Sequence, residues 1–145
     1  MSLNETNQIV EKLFPFVEKF VKDELDQTLL LDDVNDTAPC ISFVTEDSRK
    51  INYNVAGGYD GEFNFTIYYK VKNKETKERL QATKTLNYIG VFFDEATQKG
   101  ILPYLNEVDN PVSLEMISNP TLNTREENGN IVYSAGYSFI YRHRN

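Results

Sequence analysis

Apolar residues recur at spacings of three and four through the first segment of the chain. Ile9, Leu13, Phe16 or Val17, and Phe20 form the stripe, with Val10, Phe14 and Val21 beside it. Glu11, Lys12, Glu18, Lys19 and Lys22 fill the other side. This period predicts an amphipathic helix over about residues 4–26. Ser2 and Glu5 have capping-box spacing at its start. Pro15 removes a backbone donor and crowds the preceding turn, so a kink or two abutting short helices are expected there.

Further along, the period shifts towards two. Leu29 to Pro39 suits a loop, or a short strand at Leu29–Leu31 and then a loop. Cys40–Val44 reads as a buried strand, Glu46-Asp47-Ser48 as a turn, and Lys50–Val55 as a second short strand. Gly57-Gly58-Tyr59-Asp60-Gly61 is a turn signal, because glycine takes positive φ without steric cost. Phe63, Phe65, Ile67, Tyr69 and Val71 then alternate with Glu62, Asn64, Thr66, Tyr68, Lys70 and Lys72. That alternation is the clearest strand in the chain, and it sets Tyr68 and Tyr69 on opposite faces.

Asn73 can cap a second helix running from about Glu75 to Phe93. Leu80, Thr83, Leu86 or Asn87, Gly90 and Phe93 trace its stripe, and Ala82, Ile89 and Phe92 widen it. Residues 94–111 read as a connector, with a short turn of helix or strand near Ile101-Leu102. Val112–Ile117 is a strand opened by Pro111, a position where proline is tolerated. A loop from Ser118 to Asn130 feeds the last strand, Ile131–Tyr141, in which Tyr133, Tyr137 and Tyr141 share a face. The order predicts an α+β fold: a mixed, mostly antiparallel sheet with two main helices packed on one face. A single domain over residues 1–145 is expected, with the first helix at 4–26 and the sheet and second helix within 27–145.

Charge narrows the partners. The formal net charge is −7. An extended face gripping DNA or RNA needs clustered Lys and Arg, and anionic lipid needs the same, so neither specific nucleic-acid binding nor membrane docking is expected. Cys40 is the only cysteine, which excludes an intrachain disulfide and fits synthesis in a reducing cytosol. No window approaches the ~20 apolar residues of a membrane-spanning helix. Met1-Ser2-Leu3-Asn4-Glu5 lacks the basic and apolar regions of a secretory signal.

Chemistry is sparse. His143, the sole histidine, sits between Arg142 and Arg144 and reads as part of a solvated basic tail rather than a catalytic base. Cys40 in its apolar run reads as a packed core thiol. One Cys and one His cannot build a structural zinc site. Asp32, Asp33, Asn35 and Asp36 lack the glycine and distal glutamate of an EF-hand loop, and Gly57-Gly58 is not followed by a phosphate-binding Gly-Lys-Ser/Thr. Glu126-Glu127, and Asp60 with Glu62, read as hydrated carboxylates. No catalytic residue, cofactor or metal is therefore predicted. Two contact regions remain: the loop residues Arg125, Glu126, Glu127, Asn128 and Gly129, and a basic patch of Lys70, Lys72, Lys74, Lys77 and Arg79, extended by Lys84. The patch suits an acidic surface, including that of an identical subunit. Nine Tyr and nine Phe in a small domain favour interaction over catalysis.

A resemblance sharpens this reading. Asp109-Asn110-Pro111-Val112-Ser113-Leu114-Glu115-Met116-Ile117-Ser118-Asn119-Pro120, then Arg125-Glu126-Glu127-Asn128-Gly129, then Ile131-Val132-Tyr133 and Phe139-Ile140-Tyr141, resemble the minor capsid proteins of tailed phages and prophages of Gram-positive bacteria. The resemblance is carried by about residues 75–145. It implies a non-enzymatic virion protein at the head–tail junction, similar to a tail terminator. Such a protein would form a homo-oligomeric ring, a hexamer on assembly, between tail-tube and head-connector proteins. The runner-up from a different class is a small-ligand-binding or enzymatic α+β domain with a cleft between sheet and helix.

Overall fold

A computed structural model describes residues 3–33, 37–72 and 76–144. The capping box of Ser2 and Glu5, the Asn73 cap, Lys74, and Asn35 and Asp36 of the acidic stretch fall outside what it describes. The elements are α1 (Leu3–Leu25), β1 (Leu29–Leu31), β2 (Cys40–Ile51), β3 (Tyr59–Lys72), α2 (Thr76–Lys99), β4 (Asp109–Arg125) and β5 (Asn130–His143). The strands form one sheet in the order β1-β2-β3-β5-β4. β1 runs parallel to β2, and every other pair is antiparallel. The fold is α+β, as the pattern of elements predicts.

Both helices meet the sheet on the face that carries Phe43, Phe65 and Tyr137, to which β4 contributes Leu114 and Met116. Phe43, Phe65 and Tyr137 stack across β2, β3 and β5, with ring centroids 4.4 and 5.5 Å apart. Phe14 of α1 meets Phe43 edge-on at 5.6 Å, and Phe93 of α2 meets Tyr137 edge-on at 5.2 Å. The helices join each other through Phe20 and Phe92, stacked at 3.8 Å, with Phe16 and Tyr88 alongside. Pairing 16 with 92 and 20 with 88 makes the two helices antiparallel. Such ring pairs add to the hydrophobic gain of burying their area.

Local chemistry sets the ends. α1 is one continuous helix through Pro15, whose exposed position places the missing hydrogen bond on the solvent side, where a helix bends most easily. Asp26 takes a left-handed φ of 53° and stops it. α2 runs six residues past Phe93, the end expected from its pattern, because Ala96 is buried and Thr97 bonds to β4. It closes at Gly100 (φ 69°), with Gly100 N–H donating to Thr97 O and Ile101 N–H to Ala96 O, the paired bonds of a Schellman cap.

One predicted turn is absent and one predicted loop is shorter. Glu46 and Asp47 do not separate two strands; they form a bulge within β2, where pairing passes from Thr45–Phe65 to Ser48–Phe63. The expected 118–130 loop shrinks to residues 126–129, and β4 continues to Arg125. Breaks in register between Met116 and Ser118, Ser118 and Thr121, and Leu122 and Thr124 absorb the polar residues and Pro120. β4 is an edge strand, so Pro111 and Pro120 need donate nothing outward. A hairpin turn forms at Gly57-Gly58 as expected, with Asn54 Oδ1 accepting from the Ala56 and Gly58 amides and Gly57 at φ 91°, whereas Tyr59, Asp60 and Gly61 already belong to β3.

Candidate interaction surface

The register gives the sheet two ends. Tyr59, Asp109 and His143 lie at the upper end, and Lys72, Arg125 and Asn130 at the lower. The two predicted contact regions meet at the lower end. Glu126 N–H donates to Asn130 O at 2.8 Å and Gly129 N–H to Glu126 O at 3.0 Å, closing a four-residue turn. Gly129 supplies the positive φ of 91° that this turn requires, and Asn128 Oδ1 accepts from Asn130 N–H. The turn so built aims Glu126 at Lys70. Their charged atoms are 2.9 Å apart, and the Lys70 side chain is only 1% exposed.

Lys70 therefore departs from the sequence reading, which placed it in a basic patch available to an acidic partner surface. It is a buried ammonium opposite Val132 of β5, held in part by Glu126, and it braces the hairpin turn against β3. A buried ammonium without an anion is costly, so the pair fixes the turn's position more than it adds net stability. Glu126 is consequently committed inside the molecule. Arg125, Glu127 and Asn128 remain exposed around it, as do Lys72, Lys77 and Lys84, while Arg79 is half-buried. The alternation in sequence places Lys70 on the face opposite Tyr69, but nothing in that pattern shows that the position is buried.

The outer edge of β4 divides in two. In its upper half Thr97 Oγ1 accepts from Leu114 N–H at 2.9 Å and lies 3.0 Å from Leu114 O. Asn106 Oδ1 likewise accepts from Asp109 N–H. From Ile117 to Arg125 no helix or loop group among the described residues hydrogen-bonds to the edge. Ile117 is 56% exposed there and Leu122 45%.

The upper end holds the sole histidine, and not as a loose tail. His143 is the last residue of β5. Its Nδ1 lies 2.7 Å from Asp109 Oδ1, and its ring stacks on Tyr59 at 4.7 Å. Arg142 donates to Asp60 Oδ1 at 3.0 Å, and Arg144 to Glu107 O. The Arg142 hydrogen bond holds the largely buried Asp60 carboxyl below its usual range. A cleft of about 660 Å³ opens here between α1 and the connector before β4, lined by Glu11, Lys12, Asn106, Asp109 and His143 among others. Cys40 is far from it. Cys40 pairs with Lys70 and Tyr59 with His143, eleven β3 residues apart, or about 36 Å.

Elsewhere, burial pushes the Tyr137 phenol up, and its hydroxyl donates to Leu86 O inside the core. Among the described residues no three His, Cys, Asp or Glu side chains gather to hold a metal ion, and no helix is long and apolar enough to cross a membrane. No family model matches this chain, and no curated protein is significantly similar to it.

Proposed function

We propose that this protein is a structural component of a tailed-phage virion, a tail-terminator-like subunit that forms a ring at the head–tail junction and turns over no substrate. The observation that carries the reading is the lower flank of the sheet. A 17-residue edge strand leaves its lower half uncovered, with Ile117 and Leu122 outward, and a buried ion pair fixes the adjoining turn. A rigid, partly apolar edge suits fit against other subunits. Copies of the chain, tail-tube proteins and head-connector proteins are the partners, reached through exposed groups such as Arg125 and Glu127. A net charge of −7 suits a ring that DNA passes without adhering. The test is electron microscopy of particles carrying a labelled copy, or of the purified protein mixed with tail tubes. Label confined to the head–tail junction supports the reading, and particles without label at that junction refute it.

The upper cleft favours a second reading, a small-ligand site, because the buried Asp109 orients His143 beside it. A His143→Ala variant that loses affinity for a ligand found by screening would establish that class instead.

A further inference from the structure

We propose that the lower β4–α2 flank of one copy docks on the lower β1–β2 edge of a second copy, head to tail. The inference rests on the ring reading above and names the two surfaces that would make it. On the first flank, α2 runs antiparallel to β4, with Gly90 against Met116. Leu80 lies ten residues earlier in the helix, about 15 Å towards the lower end. That length equals four to five strand residues, and the bulged positions extend it, so Leu80 falls near the level of Leu122. Leu80, Thr83, Asn87 and Val91 follow at spacings of three and four beside the flank bearing Gly90. Leu80 is 54% exposed and Val91 52%, which gives the helix side of this flank two apolar side chains in addition to Leu122, while Ile117 lies beside Gly136 on the opposite face of the sheet. Lys77, Lys84 and Arg125 surround them, exposed, and none forms an ion pair among the described residues.

The opposite edge is its complement. β1 covers β2 only at Ile41–Phe43, and exposed Asp26, Asp32, Asp33, Glu46 and Asp47 line the edge around it. None of these carboxylates meets a Lys or Arg among the described residues. Leu31, 41% exposed, supplies an apolar centre. The levels agree as well. Leu31 is in line with Phe43, Ile67 and Ala135, and Leu122 with Tyr133, so the two leucines lie two β5 residues apart in height, about 7 Å.

Charge disfavours the symmetric alternatives. Two β4–α2 flanks would set Lys77, Lys84 and Arg125 against themselves, and two β1–β2 edges would oppose five carboxylates to five. The mixed contact sets the three cations against the five carboxylates, with Glu127 as the exposed acid beside Arg125 on the first flank, and a heterologous contact of that kind propagates into a ring when its rotation closes. An ordinary interface uses about 800 Å² per partner, roughly a tenth of the 8257 Å² surface here, so each subunit has room for both contacts.

Cross-linking tests the pairing. In a Cys40→Ala background, Thr124→Cys protein and Thr28→Cys protein, whose substituted positions lie at the same height in the sheet, are mixed at high concentration with a short bis-maleimide. The expected result is a product joining the two different variants, with each variant alone giving at least about tenfold less, and a ladder from the doubly substituted chain. Lys77→Glu/Lys84→Glu/Arg125→Glu in the first partner should reduce the mixed product about tenfold, and Asp26→Lys/Asp33→Lys in the second should restore it. No mixed product above background, a dominant 124-to-124 product, or reversal without rescue overturns the inference. Circular dichroism of each variant confirms that it is folded before mixing. Label at the junction without the mixed cross-link sinks the docking and leaves the ring reading, whereas the cross-link without junction label does the reverse.

Discussion

Gly61→Ala gives the sharpest check on the packing that positions the sheet. Gly61 is buried in β3 directly opposite Tyr141 of β5. A methyl group there would overlap the ring of Tyr141, whose Cζ, Cε1 and hydroxyl are the nearest atoms to it. Tyr141 is 1% exposed, so its ring has no solvent to swing into and must push neighbouring core atoms aside. Overpacking of this kind costs about 1–3 kcal/mol. Lower entropy in the unfolded chain returns about 0.4–1 kcal/mol, leaving a net loss of about 1–2 kcal/mol. The same substitution at Gly90 is the control. There the methyl meets mainly the flexible end of Met116 (Cε at 2.5 Å), and Gly90 lies within α2, where alanine gains about 1 kcal/mol over glycine. Gly90→Ala should therefore be neutral within about 1 kcal/mol. Urea unfolding, followed by circular dichroism, would place the Gly61→Ala midpoint clearly below the other two, with a Tm about 3–8 °C lower. Equal stability of the two alanine variants would refute the close approach of Gly61 and Tyr141.

Three further outcomes follow from the charged sites. Glu126→Ala withdraws an anion from the buried Lys70 ammonium and should cost about 1–3 kcal/mol in the same unfolding experiment, less than for a wholly buried pair because Glu126 is 31% exposed; no change would show that the pair does not brace the turn. Asp60 has a depressed folded-state pKa, so its contribution is complete above the unfolded value of about 4 and is lost as pH falls through the folded value. Asp60→Asn should accordingly flatten the acid limb of the stability profile below about pH 4, and an unaltered limb would refute the coupling to Arg142. Arg125→Ala and Glu127→Ala should each leave unfolding stability within about 0.5 kcal/mol, since both side chains are exposed, yet lower tail joining in infected cells; normal joining by both would remove the turn from the contact.

The sequence by itself determined the elements and their inward faces. Ile9, Leu13 and Val17 at helical spacing, and Phe63, Phe65 and Ile67 at strand spacing, are all buried, because period alone fixes which side chains share a face. The α+β class followed from the order of those elements. The tertiary structure decided where the strands end. Pro120 and the asparagines around it are turn formers judged locally, but β5 offers β4 a full-length partner, and an edge strand can bulge outward without stranding a buried donor. Glu46-Asp47 became a bulge for the same reason. The contact regions were legible as charged residues, but their pairing was not: Lys70 and Glu126 are 56 positions apart in sequence, and only the alignment of β3 with the β4–β5 turn brings them together. His143 reads as a tail for want of neighbours in sequence, and it gains Asp109 and Tyr59 once three strands align. Composition counts charges, whereas the opposition of an acidic edge to a basic flank exists only once the sheet order sets β1 and β4 at its two margins.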